Sequence, residues 1–229
     1  MVTAARMAAH TQGWFALEEF AYGSWDYESR AGDAAPVTNF GPTTQVGLHL
    51  VSVHATSHWR GPGTSKCADR GTGSLVESLA AAACVPGAVF TRRPASHSRQ
   101  GAQLAQLVRE CASGRPLVLD VHGMRDQRDL DAEIGFGIAP TPAEVAAGWA
   151  LVALLRAHGL RVAVNEVFTA AAPANVTNSV RAAGGRAFQL EIAARARPPV
   201  GSPARAQALY SALFAFAQTL TPASTPTVG

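Results

Sequence analysis

Short apolar runs alternate with longer stretches of helical spacing along most of the chain. Residues 46–53 (VGLHLVSV), 87–92, 117–121, 160–164 and 186–192 are brief runs rich in Val, Leu, Phe and Ile, and each reads as a buried strand. Residues 74–84, 102–112, 141–159, 178–183 and 203–220 read as helices. Leu104, Leu107, Val108 and Cys111 fall on one helical face, and Leu209, Leu213, Phe216 and Leu220 form the stripe of the last helix. Thr141 with Pro142 and Glu144 behind it is a helix start, because the threonine can cap the first turn and the glutamate can return the bond. Strands alternating with helices predict an α/β fold with a mainly parallel or mixed central sheet and helices on both faces.

Between these elements lie connections. Residues 31–44 and 61–71 are loops by their Gly, Pro, Ser and Thr content, and 124–137 (MRDQRDLDAEIGFG) reads as a charged loop whose Asp126, Asp129, Asp131 and Glu133 are solvated. Residues 13–30 hold Trp14, Phe15, Phe20, Tyr22, Trp25 and Tyr27 with acidic residues between them. A pair of short strands, an aromatic flap over a site, or plain packing on the sheet would each account for that stretch, and packing is the simplest. The expected organisation is an N-terminal extension over 1–45, a single α/β domain over 46–220, and a disordered Thr/Pro/Ser tail over 221–229.

Composition narrows the function. The chain has 229 residues, 48% hydrophobic and 15% charged, which suits a globular domain with a sizeable core. The net charge is +3 with no dense basic run, so nucleic acid is not an expected partner. No run is long enough to span a bilayer, and residues 1–12 lack an apolar leader core, so a cytoplasmic location is expected. Lys66 is the only lysine. Arginine and alanine are abundant, a coding bias of GC-rich bacterial genomes. Cys67, Cys84 and Cys111 form no Cys-x-x-Cys pair and imply no disulfide framework.

Chemistry concentrates where strands end. The run at Leu117 carries Asp120 and His122, two apart and so on one face. His54 and His58 follow the first strand, Asn165 follows another, and Glu191 lies in the last. In open α/β sheets, ligands bind beyond the carboxyl ends of the strands. Two histidines from separate strands with a carboxylate make a zinc set with an open position, and a further glutamate can serve as general base.

The order of these motifs resembles that of the N-formylglutamate amidohydrolase family, which has a zinc carboxypeptidase-like, three-layer fold. Val53-His54-Ala55-Thr56-Ser57 matches its first strand end. Ala68-Asp69-Arg70-Gly71-Thr72-Gly73 matches its helix-entering loop. Phe90-Thr91-Arg92-Arg93-Pro94 through Arg99 matches its arginine-bearing strand. Asp120-Val121-His122-Gly123, Asn165-Glu166-Val167-Phe168 and Gln189-Leu190-Glu191-Ile192 to Arg195 follow in the same order, so that the likeness covers residues 49–197. Ser96 and Ser98 stand where the family commonly has Asp and Asn. The resemblance implies a Zn²⁺ ion on His54, Asp69 and His122, with His58 competing with Asp69 for the third place and Asp120 orienting His122 from behind. It implies Glu191 as the catalytic carboxylate. Arg92, Arg93, Arg99 and Arg195 are the candidates to clamp a substrate carboxylate.

The activity implied is zinc-dependent hydrolysis of an amide bond in an N-acyl amino acid or a small peptide-like substrate bearing a carboxylate. Two alternatives stand beside it. One is a peptidase or cyclising amidase acting on a peptide or natural-product intermediate, with the aromatic stretch shaping the pocket. The other is a non-catalytic binding protein with a degenerate site.

Overall fold

The computed structural model of the chain describes residues 3–32, 35, 37–42, 47–126 and 129–220. In chain order the strands are β1 (Val37–Phe40), β2 (Leu48–Ser52), β3 (His58–Gly61), β4 (Thr64–Lys66), β5 (Gly87–Phe90), β6 (Leu117–Met124), β7 (Ala132–Gly135), β8 (Val162–Val164) and β9 (Arg186–Ala193). The helices are α1 (Ala4–Leu17), α2 (Thr72–Ala83), α3 (His97–Ala112), α4 (Pro142–Ala157), α5 (Val176–Ala182) and α6 (Pro203–Leu220). Seven strands make one mixed sheet in the order β1-β5-β2-β6-β9-β7-β8. The four central strands β5, β2, β6 and β9 run parallel, β1 and β7 are antiparallel to their neighbours β5 and β9, and β8 is parallel to β7. The hairpin β3–β4 stands apart from this sheet.

Side-chain alternation sorts the central strands onto two faces. Leu48 and Leu50, Leu117, Leu119 and Val121, and Phe188, Leu190 and Ile192 pack on α2, α4 and α6, together with Trp14 of α1. Val51, Val118 and Ala187 point the other way, onto Leu107, Val108 and Cys111 of α3 and Val176 and Val180 of α5. The second cluster is smaller, and its strand residues give way to polar ones. Beyond Val118 that face carries Asp120 and His122, and beyond Ala187 it carries Gln189 and Glu191. β6 and β9, each eight residues long, are paired in register over their whole length, which sets His122 opposite Glu191.

The capping prediction at α4 is realised in both directions. Thr141 Oγ1 accepts from the Glu144 amide at 3.3 Å, and Glu144 Oε2 accepts from the Thr141 amide at 2.7 Å. Such a cap contributes about 1 kcal/mol. Glu144 does more, because its other oxygen accepts from the Ala187 amide at 2.8 Å and from Arg181 at 2.9 Å, joining α4 to β9 and α5.

Four readings of the sequence change. Residues 37–40, expected as loop, form the edge strand β1. Residues 58–66 form the β3–β4 hairpin instead of coil. The charged loop contains strand β7, and Asp131 and Glu133 are fully buried there. Their charges are met by the Arg161 amide on Asp131 (2.9 Å) and by the Val167 and Phe168 amides on Glu133 (2.6 and 2.8 Å). The aromatic stretch continues α1 through a π-turn (Glu18–Tyr22) and a 3₁₀ turn (Gly23–Trp25), so residues 13–25 are helical, and beyond them Ser29 makes a single antiparallel bridge to Arg92 in place of a strand pair. Trp14, Tyr22 and Tyr27 are buried, while Phe20 and Trp25 are exposed. The expected tail lies outside the described residues, as does Val46 at the start of the first expected strand.

Candidate active site

The site forms where β6 and β9 run on past the α3 and α5 layer. His122 projects from β6. His54 stands in the turn directly after β2, the neighbour of β6. Asp69 comes from the loop that enters α2. A backbone bond ties two of these residues together, the Asp69 amide donating to the His54 carbonyl at 2.8 Å. Thr72 Oγ1 donates to the Asp69 carbonyl at 2.7 Å, which fixes the loop to the first turn of α2. On the far side of that loop, Glu18 accepts from the Gly71 amide and from Ser74 Oγ, both at 2.6 Å, and the Trp14 indole donates to the Gly71 carbonyl at 3.0 Å. Helix α1 and its π-turn therefore hold the Asp69 loop in place.

One ligand-type atom from each of His54, Asp69 and His122 lies within 4.8 Å of the other two. Asp69 Oδ2 is 3.4 Å from His54 Nδ1 and 3.5 Å from His122 Nδ1. In a tetrahedral zinc site with bonds of 2.0–2.1 Å, neighbouring ligand atoms are separated by about 3.3–3.4 Å. His54 Nδ1 is buried and makes no hydrogen bond of good geometry. Two imidazoles and a carboxylate at ligand spacing, one of them with an orphaned buried nitrogen, fit a Zn²⁺ ion.

Asp120 stands behind His122, with its Oδ1 3.0 Å from Nε2, and is fully buried. Burial alone would push His122 down, but the Asp120 and Asp69 carboxylates outweigh it and hold the imidazole well above its usual pKa. Asp69 is likewise held well below the carboxylate range, its two histidines overcoming the effect of burial. Carboxylates that favour a proton here favour a metal ion for the same electrostatic reason.

His58 does not join the set. Its ring stacks on that of His54, with centroids 3.7 Å apart and planes 9° from parallel. A metal lies in the plane of each imidazole that binds it, and no point lies in both of two parallel planes at that separation. Of the two residues expected to compete for the third place, Asp69 is the one at ligand spacing from His54 and His122. His58 instead braces the face of a ligand ring from its position in β3.

Glu191 sits opposite His122 across the β6–β9 ladder and is 7% exposed. Burial raises its pKa to about 7, with the His122 charge opposing the shift. Gln189 Nε2 donates to its Oε1 at 2.8 Å. Glu191, Gln189, His54, Asp69 and His122 all line an open cleft of about 1050 Å³.

No protein-family model matches the chain, and no curated protein matches it in sequence. Solved structures do match. An N-formylglutamate amidohydrolase from Ralstonia eutropha superposes with a TM-score of 0.56 at 14% identity, over 81% of this chain and 98% of that one. The chain shares the fold of N-formylglutamate amidohydrolase. A succinylglutamate desuccinylase from Chromobacterium violaceum superposes with a TM-score of 0.54 at 16% identity, over 92% of this chain and 75% of the other. A bacteriophage poly-gamma-glutamate hydrolase does so with a TM-score of 0.53 at 16% identity, over 82% and 89%. Identities this low establish a common fold and leave the chemistry to the residues.

Within this N-formylglutamate amidohydrolase-like fold the arginines are placed differently from expectation. Arg92, Arg93, Arg99 and Arg195 are not among the residues lining the cleft. Arg92 and Arg99 are exposed elsewhere. Arg93 pairs with Glu28 at 3.2 Å and lies over the Trp59 ring at 4.5 Å. Arg195 is drawn to Asp129 and Asp131, each at 3.0 Å. Arg60, Arg125 and Arg197 do line the cleft, and of these the buried one is Arg197, two residues beyond Arg195. It donates to the carbonyls of Ile192 (3.1 Å), Met124 (3.3 Å) and Arg70, so it links the ends of β9 and β6 to the Asp69 loop. Gly123 makes room for it, since a Cβ there would come within 2.5 Å of the guanidinium. The alternation of Arg195 and Arg197 before Pro198-Pro199 is the signal that singles out this pair; which of the two turns inward depends on Asp129 and Asp131. Asn165 turns the chain after β8, its Oδ1 accepting from the Phe136 amide at 2.9 Å. No residue of 13–30 is among those lining the cleft, and the stretch bears on it through the Asp69 loop that Trp14 and Glu18 hold.

Proposed function

We propose that the protein is a zinc-dependent hydrolase that cleaves the amide bond of an N-acyl amino acid or small peptide-like substrate bearing a carboxylate. The observation that carries this reading is the ligand-spaced His54–Asp69–His122 cluster with Glu191 facing His122 on the floor of one cleft. Two proteins that share the fold are named for acylated glutamate, which supports the same reading.

His54, Asp69 and His122 would hold the ion, and Asp120 would keep His122 in the ligating orientation. Zinc supplies Lewis acidity when bound, acidifying water and polarising a carbonyl. Glu191 is the base. Its pKa of about 7 lets it take a proton from water near neutrality and return it to the leaving nitrogen. Gln189 fixes the carboxylate through Oε1, which leaves Oε2 for that exchange. Arg197 spends three of its five N–H donors on carbonyls and has two more beside the reacting centre for developing negative charge. Arg60 and Arg125 line the cleft and offer positive charge to a substrate carboxylate, while Lys66 beside them is paired with Asp69 at 3.2 Å.

The test pairs metal content with turnover. The purified protein should bind one zinc per chain and release amino acid from N-acyl amino acids. Glu191→Gln should keep the zinc and lose at least about a hundredfold in kcat. A Glu191→Gln protein with full activity, or a wild-type chain with no affinity for zinc, refutes the proposal.

A further inference from the structure

The cleft has two walls of opposite character. On the hairpin side it is lined by Arg60, Ser65 and Lys66, of which Lys66 is paired with Asp69 at 3.2 Å, and Arg125 extends the positive charge at the end of β6. The other wall is residues 167–172 (VFTAAA), which carry no charge. Val167 is 47% exposed at this wall.

The apolar wall is built, with its backbone polarity turned away from the cleft. The amides of Val167 and Phe168 donate to the buried Glu133 carboxylate. The Thr169 carbonyl accepts from the Gly137 amide at 2.8 Å. The Ala170 carbonyl accepts from Asn175 and Asn178 at 2.6 and 2.8 Å, and the Ala172 carbonyl from Asn178 at 2.9 Å. The segment lies flush on β7, where a Cβ on Gly135 would come within 2.1 Å of the Phe168 carbonyl. Two amides and three carbonyls of this surface segment are thus taken up within the protein, and the side chains it adds to the cleft lining are methyl and ring groups apart from the Thr169 hydroxyl. A pocket surface of this kind favours apolar groups held by few polar contacts.

Volume points the same way. Pockets for drug-sized ligands span about 300–1000 Å³, and this cleft of about 1050 Å³ far exceeds what a one-carbon acyl group on an amino acid would fill.

We infer that the substrate carries an apolar group of several carbons on the acyl side of the scissile amide, seated on residues 167–172, and its carboxylate on the amine side, seated at Arg60 and Arg125. This rests on the amide-hydrolase reading above and specifies its substrate class. An aliphatic or aromatic acyl group and an apolar amino-terminal residue of a dipeptide present the same chemistry to this wall.

The experiment compares N-formyl-, N-acetyl-, N-hexanoyl- and N-benzoyl-glutamate with the dipeptide Leu-Glu on the zinc-loaded protein. Each methylene placed on the wall should raise kcat/KM roughly two- to fourfold, so hexanoyl should exceed formyl by roughly tenfold or more. Preference for Leu-Glu over the acyl series would assign the wall to a peptide residue, and the reverse to an acyl chain; both uphold the inference. Val167→Asp should lower the hexanoyl-to-formyl ratio by roughly tenfold, whereas Val167→Leu, which keeps the surface apolar, should preserve it. A ratio at or below one in the wild-type protein, or a ratio untouched by Val167→Asp, overturns the inference alone. Calorimetric binding to the Glu191→Gln protein separates the two readings. If no compound is hydrolysed but N-hexanoyl-glutamate still binds at least tenfold tighter than N-formyl-glutamate, the hydrolase reading falls and the assignment of the wall stands. Equal binding overturns the wall.

Discussion

Replacing Glu191 by glutamine should make the metal-free protein more stable in mildly alkaline buffer while abolishing turnover. Glu191 is 7% exposed on the floor of the cleft, and burial raises its pKa from 4.5 to about 7. The folded carboxyl therefore holds its proton more tightly than the unfolded one. The stability this brings is complete below about pH 4.5 and is lost as pH rises through about 7, where the folded protein must bury a carboxylate. A shift of about 2.5 units is worth about 3 kcal/mol. Glutamine never ionises, and its side-chain oxygen can still accept from Gln189 Nε2, as Glu191 Oε1 does at 2.8 Å. Glu191→Gln should thus exceed the wild type by less than about 1 kcal/mol at pH 5 and by about 3 kcal/mol at pH 8. Urea unfolding of both proteins in EDTA at the two pH values measures this. A stability difference that does not grow between pH 5 and pH 8 would refute the argument that burial controls Glu191.

The remaining expectations concern the metal cluster and its supports. His122→Ala should abolish zinc binding, and Asp120→Asn should weaken it about 10- to 100-fold with a site still present, read by competition with a chelator of known affinity. His58→Ala should loosen zinc by a smaller factor because it removes only the ring stacked at 3.7 Å on His54, and His58→Phe should restore it by replacing that ring; equal loss in both would make His58 a ligand after all. Arg197→Ala should destabilise the fold by about 2–4 kcal/mol, since three carbonyls lose their donor, whereas Arg93→Ala, on the surface pair with Glu28, should change stability by less than about 1 kcal/mol and leave kcat/KM within twofold.

The parts of this fold that are legible in the sequence are those whose signals are local. Thr141, Pro142 and Glu144 announce α4, and the apolar run at Leu117 announces β6, because neighbouring residues along the chain settle both. His54, Asp69, His122 and Glu191 stand out because they are polar residues at the ends of otherwise apolar runs. What stays hidden is decided across the chain. Strand β7 is four residues with a glutamate inside, and nothing nearby in sequence reveals that the Val167 and Phe168 amides neutralise that glutamate's burial. The choice between Arg195 and Arg197 turns on Asp129 and Asp131, more than sixty residues away. His58 reads as a competitor of Asp69 for the third place, and only the fold shows its ring stacked on that of His54. The helical course of residues 13–25 is masked by aromatic content that suits strands equally well.

The eight-residue length of β6 and β9 separates two things that enzymes often entangle. His122, Gln189 and Glu191 are carried on the longest strand pairing among the described residues, while the cleft's two sides include surface segments, residues 59–66 and 167–172, attached beside it. Such segments accept insertion and exchange far more readily than a central strand does. Such borders can therefore be rewritten to change what is recognised while His122 and Glu191 stay where the sheet puts them. The contrast between a basic border and an apolar one belongs to these surface segments and is separate from the groups on the floor.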